Sequence, residues 1–119
     1  MSRTRLLVVV VVLLLFVGAG GVLIFTSNHK GGQNLTFDVT VTGAKAMSPN
    51  PLSAHVNDMV TINITSDTTG EVHLHVYDIA FNTVAGQTVS HTFKADKTCG
   101  CDIEWESTSA PLGSLTVSP

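Results

Sequence analysis

Residues Glu71-Val72-His73-Leu74-His75-Val76-Tyr77-Asp78 alternate between apolar and polar side chains. A period of two marks a β-strand with one buried face, so Val72, Leu74 and Val76 are expected inward and His73, His75 and Tyr77 outward. Imidazoles at i and i+2 of a strand stand about 6–7 Å apart on one face, near enough to share a metal ion if a third ligand converges on them. Whether the strand belongs to a sheet is decided by the segments on either side.

Those segments carry the same signal. Leu35, Phe37, Val39 and Val41 alternate with Thr36, Asp38, Thr40 and Thr42, and Val60, Ile62 and Ile64 alternate within residues 59–66. Val89, His91, Phe93 and Ala95 share one face, which predicts a core or half-buried His91. Cys101, Ile103 and Trp105 alternate with Asp102, Glu104 and Glu106, which predicts Trp105 in the core, and Leu115 and Val117 close the chain. Residues 44–51 hold two prolines after Gly43, residues 67–70 form a turn cluster, and residues 82–86 are loop-like. About seven short strands, with no helical periodicity after residue 25, predict an all-β antiparallel sandwich with Greek-key connections.

Ahead of this domain, residues 6–25 are apolar except for Gly18, Gly20 and Gly21, long enough to cross a bilayer as a helix. Arg3 and Arg5 precede the run and only Lys30 follows closely, so the positive-inside rule puts the N-terminus in the cytoplasm and the rest outside. Residues 1–25 are thus expected to be a signal anchor, residues 26–34 a linker, and residues 35–119 the domain, single-pass in the plasma membrane. Val17-Gly18-Ala19 also has the pattern of a cleavage site, which would make the domain secreted. Beyond residue 25 there are four lysines, no arginine and all nine acidic residues, a net charge of −5. With so little to pair with phosphates, a nucleic-acid partner is excluded.

The order of motifs points further. A proline-containing loop is followed by Val56-Asn57-Asp58-Met59-Val60-Thr61-Ile62, the opening strand, Ala85-Gly86-Gln87-Thr88, Phe93-Lys94-Ala95-Asp96, Ile103-Glu104 and Leu112-Gly113-Ser114-Leu115-Thr116-Val117. This series resembles the cupredoxin-like domains that many bacteria export, related in fold to plastocyanin and the copper domain of cytochrome oxidase subunit II. The resemblance covers residues 35–119. It implies a first copper histidine at His75, and it puts Trp105 where electron-transfer members carry their cysteine. No Cys-x-x-His-x-x-x-Met loop follows, since residues 107–112 contain no ligand. The His₂Cys centre of a blue-copper protein is therefore not encoded. Many exported members place a histidine soon after Ile-Glu, and here that place is Glu106.

His73, His75 and Glu106 are accordingly the candidate metal ligands, with copper the first expectation, weakly bound for handling or delivery. Surface histidines beside Tyr77 are the plain alternative. Cys99-Gly100-Cys101 has three readings: a disulfide, which suits an exported chain, a soft-metal dithiolate clamp, or two structural thiols. His55 is expected to face solvent, His29 lies in the linker, and Met47 and Met59 fall in a loop and on a polar face. Glu104 and Glu106 share a face as solvated acids commonly do. No phosphate loop, nucleophile elbow or HExxH motif is present, so no enzyme is expected. The alternative function is a metal-free structural or interaction module of the cell envelope, partnering another membrane or envelope protein.

Overall fold

The structure, a computed structural model, describes residues 31–119; the expected anchor, His29 and most of the linker lie outside them. Nine strands make up the described residues: β1 (Asn34–Thr42), β2 (Ala46–Ser48), β3 (Leu52–His55), β4 (Met59–Ser66), β5 (Gly70–Leu74), β6 (Ile79–Thr83), β7 (Thr88–Lys94), β8 (Cys99–Trp105) and β9 (Ala110–Ser118). They form two sheets, β2-β1-β4-β7 and β3-β9-β8-β5-β6, packed as a β-sandwich. The alternating residues supply the core: Val39, Val41, Val60, Ile62 and Ile64 from one sheet meet Leu52, Val72, Leu74, Ile103, Trp105, Leu115 and Val117 from the other, all buried. Trp105 packs so closely over Gly70 that a Cβ added there would lie inside the indole.

Two expectations about the sheets are corrected. They are mixed rather than antiparallel, because β1 pairs parallel to β4 from Asn34↔Met59 to Val41↔Ser66, and β3 pairs parallel to β9 from Leu52↔Leu115 to His55↔Ser118. Alternation reports which face of a strand is buried and carries nothing about the direction of its neighbour. The described residues also form nine strands rather than about seven. β2 is a three-residue strand ahead of Pro49, and β6 occupies sequence expected to be partly loop.

The opening strand itself is shorter than its alternation. β5 ends at Leu74, residues 75–78 form a turn, and β6 returns antiparallel with Leu74 opposite Ile79. Val76 is consequently not core but 51% exposed at the turn. The turn bends through positive φ at Val76 (76°) and Asp78 (53°). Such a backbone is rare for any residue with a Cβ and rarest for a β-branched one. It is held from both flanks: the Tyr77 hydroxyl donates to the Lys97 carbonyl (2.6 Å) and accepts from the Lys97 N–H (2.9 Å), and Asp78 reaches back to His73.

Candidate functional site

β5 and β8 are antiparallel neighbours, with Val72 opposite Trp105, His73 opposite Glu104 and Leu74 opposite Ile103. The pleat sends Val72, Leu74, Ile103 and Trp105 into the core, so His73, His75, Glu104 and Glu106 come out together on the other face of the sheet. The ladder continues past both strand ends, with the His75 N–H donating to Asp102 O and the Glu106 N–H to Glu71 O, each at 2.9 Å. Two histidines and two glutamates thus form a small polar quilt, the imidazole centroids 4.5 Å apart and nearly perpendicular.

Each histidine has its own carboxylates. His75 Nε2 lies 2.7 Å from Glu104 Oε2, and His73 Nε2 lies 2.7 Å from Asp78 Oδ1 across the turn. His73 Nδ1 is buried without a hydrogen-bond partner, and the nearest acid to it is Glu106 Oε1 at 3.7 Å. The hydrogen bond to Asp78 is the largest cause of a His73 pKa held above its ordinary value; burial opposes the rise, and the charges of Glu106, Asp78 and Glu71 add to it.

The structure brings together the three candidate ligands His73, His75 and Glu106 on one face. It adds two residues that the sequence had not offered as ligands, Glu104 and Asp78. Glu104 had left a signal, since a Glu-x-Glu alternation on a neighbouring strand matches His-x-His in period. Asp78 had left none, because only the turn folds it onto His73. Among the described residues, no three His, Cys, Asp or Glu side chains are arranged to hold a metal ion. Cys99 and Cys101 are joined by a disulfide, with Cα atoms 5.3 Å apart, as the first of their three readings has it. Cys101 is buried on the inner face with Ile103 and Trp105, so the cysteine pair stands on the opposite side of the sheet from the imidazoles.

The remaining candidates are dispersed. His91 is exposed rather than core, its ring nearly perpendicular to that of buried Phe81 with centroids 4.9 Å apart. β7 is an edge strand, so a position that alternates with Val89 and Phe93 still opens onto solvent. His55 is half-buried at the end of β3, Met47 is buried in β2, and Met59 is 39% exposed.

A blue-copper centre does not fit these residues. The resemblance gives the thiolate position to Trp105, which lies inside the sandwich opposite Val72, whereas His75 is on the outer face three residues further along. At about 3.3 Å per residue that is roughly 10 Å along the ladder, with the sheet between them.

No protein-family model matches the chain, and no curated protein matches it in sequence. Solved structures match it in fold. A chain of a heme-copper terminal oxidase dimer is 15% identical with a TM-score of 0.57, the match covering 98% of each chain. A copper-binding protein in its apo form, solved by NMR, is 10% identical with a TM-score of 0.56, covering 75% of this chain and 91% of that one. Blue copper oxidase from Nitrosomonas europaea is 17% identical with a TM-score of 0.51 over 73% of this chain, which spans only 39% of that oxidase. The described domain is a cupredoxin-like fold, as the order of its motifs implied.

Proposed function

We propose that this chain displays a cupredoxin-like domain outside the cytoplasm on an N-terminal anchor, and that the domain binds a divalent metal weakly, copper first, without carrying electrons. The observation that carries the reading is the buried, partnerless Nδ1 of His73 held 3.7 Å from a Glu106 carboxylate oxygen. That gap is too wide for a hydrogen bond, and close to the separation of roughly 3.3 Å between two ligands on one tetrahedral ion. His73 and Glu106 would supply two donors, and a third would come from His75 or Glu104 once the 2.7 Å hydrogen bond that joins those two is parted. A nitrogen–oxygen set of this kind suits Cu(II) or Zn(II). A bound ion would neutralise the local excess of carboxylate charge. With no thiolate at the site, nothing tunes a copper couple for electron transfer. Handling or delivery is the role that remains.

Titrating the full chain in detergent with Cu(II), followed by calorimetry and electron paramagnetic resonance, tests this. A complex with nitrogen coupling is expected, lost in His73→Ala and weakened in Glu106→Ala; equal binding by both variants overturns the assignment.

A second reading is favoured by a separate observation: both Nε2 atoms are already held by carboxylates at 2.7 Å. On that reading the domain is a metal-free module that docks another envelope protein. Its support is the likeness over nearly the full length to a chain within a heme-copper oxidase assembly. No Cu(II) complex in the same titration is its expected result.

A further inference from the structure

We propose that the end of the sandwich bearing the 75–78 turn rests on the bilayer surface, with Val76 seated among the lipid headgroups; this rests on the anchor reading above. The chain enters the domain beside the start of β4. The Gln33 N–H donates to Asp58 Oδ1 (2.9 Å), and the Met59 N–H donates to Gln33 O (2.8 Å), so residue 33 is tied to the start of β4. Hydrogen bonds lead from there to the turn. The Ala95 N–H donates to Asp58 O (2.8 Å), and two residues on, both backbone groups of Lys97 hold the Tyr77 hydroxyl. Val76 therefore lies at the end of the domain where the N-terminal segment joins.

The sequence leaves little slack. Five residues separate the end of the apolar run at Phe25 from Gly31, a reach of at most about 20 Å when fully extended. A domain on so short a tether keeps its attached end near the headgroups. The chemistry of that end suits the position. Val76 is 51% exposed on a backbone its side chain disfavours, and Met59 is 39% exposed. Tyr77 packs at a tilt against Phe93 with centroids 5.0 Å apart, and Lys97 Nζ stands 4.9 Å over the Tyr77 ring and 3.4 Å from Asp96 Oδ1. Lys94 closes the same end, opposite Met59. Apolar tips beside tyrosine and lysine are the residues that settle at a membrane–water boundary, where rings and methylene stems are half dry and the polar ends stay wet.

The molecule contains its own control. Val84 is 49% exposed, but it lies at the far end, beyond β6, where the Gly86 N–H donates to Ser66 O at the end of β4. The eight residues of β4 put roughly 25 Å between the two ends, more than the tether spans. Equal exposure and opposite placement make the two valines a matched pair.

The test places tryptophan at each position in the full chain, reconstituted in vesicles of phosphatidylcholine and phosphatidylglycerol with brominated acyl chains. Buried Trp105 supplies the constant background. Fluorescence of Val76→Trp is expected to shift to the blue and to be lost to the bromines, and that of Val84→Trp to be unaffected. Equal quenching at both sites, or none at Val76→Trp in protein that floats with the vesicles, overturns the proposal. Protein that does not float overturns the anchor reading and the proposal with it. None of these outcomes depends on metal.

Discussion

His73 is pulled from three sides: Asp78 bonded to one ring nitrogen, Glu106 near the other, and Glu71 nearby. All three favour the imidazolium, so its folded pKa lies above the ordinary 6.5. A group whose pKa rises on folding stabilises the fold fully below its unfolded pKa, and that contribution is lost as pH rises through the folded value. Stability should therefore fall from pH 6 towards alkaline pH. In Asp78→Asn the NMR titration of His73 should move back towards 6.5 and the slope of stability against pH should flatten; an unmoved titration would show that Asp78 is not the cause. Val76 offers a second test at this scale. An L-residue in left-handed backbone costs about 1–2 kcal/mol, and glycine removes that cost while adding some unfolded-state entropy. Val76→Gly should raise stability to urea by about 1 kcal/mol.

The elements depend on two close fittings. The buried carboxylate of Asp58 accepts from the His55 N–H (2.8 Å) and the Gln33 N–H (2.9 Å), joining the end of β3 to the approach to β1. Hydrogen bonds to a charged group are worth about 1.5–3 kcal/mol each, so Asp58→Ala should cost at least about 2 kcal/mol and should loosen amide protection at both donors. Gly70→Ala drives a methyl group into Trp105 and should cost about 1–3 kcal/mol, measurable by thermal unfolding.

Which elements were legible follows from the same physics. β1, β4 and β8 announce themselves because one face is buried and the other wet, a pattern of period two that survives without knowledge of any partner. β5 was legible as far as Leu74. It was overrun because its turn, His75-Val76-Tyr77-Asp78, contains no glycine or proline and continues the alternation by composition alone. The histidine pair of the candidate site was read correctly onto one face. Its carboxylates were only half read, because Glu104 needs the β5·β8 register and Asp78 needs the turn. Both are long-range or sterically unfavourable choices that periodicity does not encode.

For the molecule as a whole, the disulfide adds little to equilibrium stability. It closes a ring of three residues, for which the chain-entropy estimate is only about 1–2 kcal/mol. Urea unfolding with and without a strong reductant should differ by no more than that, and a larger loss would mean that the pair does more than shorten the unfolded chain. The parallel pairings have a consequence of another kind, in time. β1 finds its long partner only when β4 has arrived, and β3 has none in its sheet until β9 closes the domain. Contacts so distant in sequence place a β-fold among slow folders, in the millisecond-to-second range. A stopped-flow trace of Trp105 fluorescence would read that rate directly. A domain that emerged from a membrane with β1 leading would present the apolar face of Leu35, Phe37, Val39 and Val41 unpaired while its last strand was still inside, and such an interval is when a bare strand needs a chaperone or an uncrowded exit.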